Sequence, residues 1–279
     1  MDFQKLNASW IYWLTIKVFF RNIFLFITIA GLNAGLGFVQ TIVPLAGLVT
    51  VPASIFMMVV GFMAVHRTLL TGVTPTFGEA FEITPALKAY FWIFLAIFIL
   101  PFIMVAAGSF TLVSGEKSLE EIQNSIIYLS IGGTAFYFLV LSFFGTSLTS
   151  TAIQADGMMM ISRGKATFFY SLLRLLLLPG LVVVAIGAAV YVGFQNVSVD
   201  EAFQMVNTLV MKMIDSKVLM VSVIIGFQLF AILLNTLTAT ILTKAFLLAE
   251  VRIANMGEPS NWAKANFNIP DREQDYVYK

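Results

Sequence analysis

Long apolar blocks separated by short polar segments organise this chain. Between Asn22 and Val65 stand 44 residues without a charge, too many for one membrane crossing of about 20 apolar residues and enough for two. Pro44 lies near the middle, where a fixed φ and a missing N–H break a helix. The pattern therefore predicts spans near 22–42 and 47–66 with a turn at Val43–Gly47. Later apolar blocks predict spans near 90–113, 126–148, 172–194 and 218–242. The expected fold class is an all-α membrane protein, with six transmembrane helices forming three hairpins in a single domain over 1–253.

Each hairpin is preceded by an amphipathic stretch, a weak threefold repeat that predicts interfacial helices near 3–20, 76–84 and 160–171. In the first, Phe3, Leu6, Trp10 and Trp13 with Leu14 are expected on one face, with Lys17 and Arg21 at the headgroups. The second opens Thr76-Phe77-Gly78-Glu79, a capping-box pattern, and Thr84-Pro85 then reads as an N-cap and first helical residue. In the third, Arg163, Thr167, Tyr170 and Arg174 recur at helical spacing opposite Phe169, Leu172 and Leu173. From Ala254 to Lys279 the composition turns polar, with Pro259 and Pro270, which predicts a disordered or surface-draped tail.

Charge placement adds orientation. The segments 114–125 and 195–217 carry six carboxylates and three of the sixteen Lys and Arg residues, whereas the remaining thirteen lie on the other side of the predicted spans. By the positive-inside rule both termini are expected in the cytoplasm. Met1–Arg21 lacks a short apolar block with a cleavage pattern and is expected to be retained. At 59% hydrophobic and 11% charged residues the chain has too little charged surface for water, so lipid must cover it. A net charge of +1 without a basic run gives no reason to expect nucleic acid.

Candidate chemistry is sparse. Absence of cysteine removes disulfides, thiolate catalysis and cysteine-ligated metal. No predicted span carries Asp or Glu in its central turns, which argues against a proton or sodium relay. The polar residues within spans, and so the candidate lining of any path, are Asn33, Gln40, Gln228, Asn235, Thr236 and Thr240. Lys244 on the Thr236–Thr240 face is expected to snorkel. The single histidine, His66, with Arg67, is expected to anchor the end of the second span. Trp10, Trp13, Lys17, Arg21, Arg163, Lys165 and Arg174 are expected at interfaces as well. Thr146, Ser147, Thr149, Ser150 and Thr151 form a hydroxyl cluster that most simply bonds local carbonyls. Gly31 and Gly35, and Ala185, Ala189 and Gly193, are spaced for close helix approach. The methionine run 158–160 has no histidine or cysteine to make it a metal site, and no metal or cofactor is expected. The triplets at Asn7 and Asn196 matter only in a eukaryotic secretory setting.

Three segments, Trp13–Asn22, His66–Gly72 and Ser162–Lys165, together with the six-block layout, resemble bacterial six-helix inner-membrane proteins, the YciC-like proteins and the membrane domain attached to some glycerophosphoryl diester phosphodiesterases. That resemblance implies a bacterial cytoplasmic membrane and no catalytic residues, since the phosphodiesterase chemistry belongs to a separate domain. The leading expectation is a non-catalytic protein acting through lipid or protein contacts, with a membrane-protein partner or self-association. The second is a transporter or channel for a small neutral or amphipathic solute. The third is a lipid enzyme, for which Glu79, Glu82, His66 and Asp156 are the obvious supply of acid or base.

Overall fold

A computed structural model describes residues 10–113, 119–155, 159–194 and 216–267, together with Glu201, Gln204 and Thr208. Among them the regular structure is helical throughout. The helices are α1 (Ile11–Arg21), α2 (Ile23–Ile42), α3 (Gly47–Thr71), α4 (Phe77–Phe81), α5 (Pro85–Val113), α6 (Leu119–Ala152), α7 (Met160–Phe194), α8 (Lys217–Asn255) and α9 (Asn261–Phe267). Among the described residues four segments are long and apolar enough to cross a bilayer: Ile23–Gln40, Gly47–Thr71, Gly132–Ala152 and Met220–Asn255.

The core gathers around α8, which packs on α1, α2, α3, α6 and α7. In lipid, apolar surface gives helices little reason to associate, so close packing and buried hydrogen bonds must hold them. Glycine permits two of the closest approaches. A Cβ on Gly145 would strike the Leu242 side chain of α8, and one on Gly164 would fall on the Phe143 carbonyl oxygen of α6. The Gly31 and Gly35 pair does not serve this purpose, because a Cβ at either would meet nothing within 4 Å. Ala185, Ala189 and Gly193 have side-chain positions outside the described residues.

Local signals are realised where local chemistry suffices. Pro44–Ala46 makes a single 3-10 turn between α2 and α3. Thr76 and Glu79 form a complete capping box on α4, and the Thr84 hydroxyl accepts the Leu87 N–H at 3.2 Å to start α5 at Pro85.

Elsewhere the elements differ from the pattern. Helix α3 does not stop at 66 but runs to Thr71, where Gly72 closes it at φ 75°. Residues 160–171 are not a separate interfacial helix: α7 is continuous from Met160 to Phe194, because Arg163, Thr167 and Ser171 face inward and are buried. Helix α8 continues 13 residues past the predicted end at 242, since Lys244 and Glu250 both find places inside the protein. The start of the predicted tail is ordered as α9, with Trp262 edge-on to Phe246 at 5.1 Å. In α1 the inward stripe is Ile11, Leu14, Thr15 and Val18, and Trp10 and Trp13 are exposed on the other side. Phe3 and Leu6 of the lead-in, the end of the tail from 268, and most of the two acidic segments lie outside the described residues.

Candidate functional site

Four of the polar residues proposed as a lining come together. Asn33 of α2 and Gln228, Asn235 and Thr236 of α8 line one cavity of about 70 Å³, whose other walls are apolar: Phe26, Ile29, Met57, Met58, Gly61, Phe62, Val65, Ala231 and Ile232. Helix geometry explains the meeting on α8, since Gln228, Asn235 and Thr236 are seven or eight residues apart and so share a face. The buried Asn33 Oδ1 has no hydrogen-bond partner, and an amide oxygen in that state costs free energy until something donates to it. The arrangement offers amide and hydroxyl groups on an apolar frame, without a charged lining residue. It suits a neutral molecule with both polar and apolar parts.

The other two candidates lie elsewhere. Gln40 is exposed, and its Oε1 accepts the Thr50 hydroxyl at 3.4 Å across the α2–α3 turn. Thr240 is buried one turn beyond Thr236 and donates to the Thr236 carbonyl at 2.7 Å.

Beyond Thr240 the same face of α8 reaches Thr243, and there His66 departs most from expectation. It is fully buried, not interfacial, because α3 continues another turn past it. Its Nδ1 lies 2.8 Å from Thr243 Oγ1 and 3.3 Å from Thr149 Oγ1. Thr243 also lies 2.9 Å from the Ala239 carbonyl, so Nδ1 exchanges a proton with one of the two hydroxyls in either tautomer and Nε2 is left to find its own partner. That Nε2, the Tyr90 hydroxyl and the Thr146 hydroxyl are buried without hydrogen-bond partners. In the hydroxyl cluster of α6, Ser147, Ser150 and Thr151 donate to local carbonyls as the pattern implied.

One residue further, Arg67 is half-buried and donates Nε–H to the Ala152 carbonyl at 3.2 Å. It lines a second, more open pocket of about 390 Å³ with Thr71, Glu79, Glu82, Thr84, Ala152 and Ile153. The Thr76 backbone N–H, which donates to Glu79 Oε2 at 2.8 Å, together with the adjacent Thr76 side chain holds the Glu79 carboxyl below the usual carboxylate range, and the nearby Arg67 adds to this. Of the acid and base residues considered for a lipid enzyme, Glu79 and Glu82 therefore share this pocket. His66 is turned to Thr243, and Asp156 lies outside the described residues.

Arg163 is the second buried departure. Its Nε meets Glu250 Oε1 at 2.5 Å with both side chains fully buried, and its guanidinium lies over Phe246, 5.1 Å from the ring centre. Ser260 donates to Glu250 Oε2 and caps α9 by accepting the Ala263 N–H at 3.0 Å. Glu250 is the residue the sequence pattern misses. Its signal is a lone acid at the seventh position beyond Thr243, on a helix drawn too short to include it. The remaining anchors stay at the surface: Lys17, Arg21 and Lys165 are exposed, and half-buried Arg174 stacks on Tyr170 at 3.8 Å.

Comparison with family models, curated proteins and solved structures finds no match for the chain.

Proposed function

We propose that this protein is a non-catalytic, six-span membrane protein that admits a small neutral or amphipathic solute through the cavity between α2, α3 and α8. In this reading α5 and α7 supply the third and fifth spans, the protein sits in a bacterial cytoplasmic membrane, and both termini are cytoplasmic. The supporting observation is that Asn33 and three polar residues of α8, about 200 positions away in the chain, face one cavity with an apolar frame. Transport sites are commonly built near the bilayer midplane from such helix-borne polar groups. Asn33 is the eleventh residue of α2, about 16 Å along its axis and so close to the middle of a hydrocarbon layer of about 30 Å.

Stopped-flow swelling of proteoliposomes under glycerol or urea gradients tests this. Protein should raise the swelling rate, and Asn33→Leu with Asn235→Leu should return it to the protein-free rate. Parent protein that never exceeds empty liposomes with either probe sinks the proposal.

A second reading, action through lipid or protein contacts, is favoured by α1. Its inward stripe is satisfied by the core while Trp10, Trp13, Lys17, Phe20 and Arg21 face away, the residue types of a membrane interface. Co-purification of a stoichiometric partner in mild detergent would support it, and a protein that stays alone in native-lipid particles would weaken it.

A further inference from the structure

We infer that His66, Tyr90 and Thr146 form a second binding station for the same neutral solute, standing between the cavity and the cytoplasmic pocket. The inference rests on the solute reading above.

Position comes first. The cavity wall includes Phe62 and Val65 of α3 and Thr236 of α8. His66 follows Val65 directly, and Thr243 lies seven residues past Thr236, about 10 Å along the helix. On the other side, the pocket wall includes Arg67, the residue after His66, and Ala152, three residues after Thr149. Along α3, then, the layer that holds His66 lies between a residue of the cavity wall and a residue of the pocket wall.

The makeup of that layer is the second step. A seal needed only for packing would be apolar, since a buried polar atom left without a partner is destabilising. Here α3, α5, α6 and α8 contribute His66, Tyr90, Thr146, Thr149 and Thr243, all buried. Three of their polar atoms, His66 Nε2, Tyr90 Oη and Thr146 Oγ1, have no partner. The His66 and Tyr90 rings lie 6.0 Å apart, and Thr146 is one turn before Thr149, which approaches His66 Nδ1. These atoms offer an imidazole nitrogen, which donates or accepts according to its tautomer, and two hydroxyls that do either. A neutral molecule bearing both O–H or N–H donors and an oxygen acceptor complements them; an ion does not.

Conservative variants test the station, with glycerol and urea as the probes. Tyr90→Phe and Thr146→Val remove only unpartnered hydroxyls, so a merely structural role predicts unchanged flux with equal or higher thermal stability. The station instead predicts flux slowed about 3–10-fold in protein that is no less stable. Wild-type flux in both variants, in a protein whose flux Asn33→Leu with Asn235→Leu abolishes, overturns the station and leaves the cavity reading standing. Because the chain has no cysteine, a Thr146→Cys variant gives a second readout. Reaction with a small neutral thiol reagent, slowed by urea or glycerol, supports the station even where parent flux proves absent and the transport reading fails. No reaction in folded protein overturns it.

Discussion

Arg163 and Glu250 show how a single pair can hold a membrane bundle in register. Moving both charges out of water costs several kcal/mol, and their attraction repays this only when the remaining hydrogen bonds are met. Phe246 and Ser260 supply part of that shell. Removing one partner strands the other, so Glu250→Gln or Arg163→Met should each lower stability by about 3–5 kcal/mol, while Arg163→Met with Glu250→Met should recover most of the loss. Thermal unfolding in detergent measures both, and a double variant as weak as the singles would show that the pair is not the cause. Sequence alone could not reveal this contact, because the partners lie 87 residues apart and each looks like an ordinary interfacial charge. Glycine gives a sharper residue-scale contrast. Gly164→Ala drives a methyl onto the rigid Phe143 carbonyl and should cost about 1–3 kcal/mol, whereas Gly31→Ala enters open space and should cost nothing measurable. Equal melting temperatures for the two would refute the packing of α6 on α7 described above. Gly31 stands between Ala30 and Leu32 and Gly164 between Arg163 and Lys165, and neither setting tells which glycine touches a backbone.

At the scale of elements, legibility follows the range of the interactions that set each boundary. The Pro44 turn and the Thr76–Glu79 capping box are visible in the sequence because their causes lie within a few residues. The ends of α3, α7 and α8 are not, because burial of His66, Arg163 and Glu250 by distant helices lets helices run on where polar residues suggest a stop. The same holds for the cavity: each polar lining residue is visible as polar, but their meeting depends on α2 packing against α8. The capping box makes a pH prediction whose sign is fixed by its hydrogen bonds. Since the folded Glu79 carboxyl is held below its usual value, its support of α4 is complete above the ordinary carboxylate range and disappears as pH falls through the depressed value. Amide exchange in Phe77–Phe81, corrected for intrinsic rate, should lose protection only in strong acid. Glu79→Gln, which preserves a capping-box donor and acceptor, should remove that pH dependence; an unchanged acid transition would assign it to another group. Helix α9 is held by Trp262 on Phe246 and by Ser260 on Glu250. Trp262→Ala should therefore expose the segment after Asn255 to protease with little change in the rest of the bundle.

For the whole molecule, the decisive quantity is the number of crossings between α1 and α9. Helix α8 has 39 residues, about 58 Å at 1.5 Å per residue, nearly twice a hydrocarbon layer of about 30 Å. A good part of it must project, and the end bearing the exposed Arg252 and the docked α9 carries polar groups suited to water. If that end is cytoplasmic, α8 runs from outside to inside and an odd number of crossings precedes it. Three of the four apolar segments precede α8, an odd number already; with α5 and α7 crossing as well the number is five, which makes three hairpins and leaves the 114–125 and 195–217 segments outside. A chain without cysteine is its own background for the measurement. Lys117→Cys should react with a membrane-impermeant thiol reagent from one side of sealed vesicles, and Lys279→Cys from the other. Labelling of both from one side would leave an even number of crossings between them and would falsify the three-hairpin arrangement. The cavity at Asn33 would keep its depth, because α2, α3 and α8 are all among the segments long and apolar enough to cross, so the crossing number tests the hairpins while the swelling rate tests the solute reading.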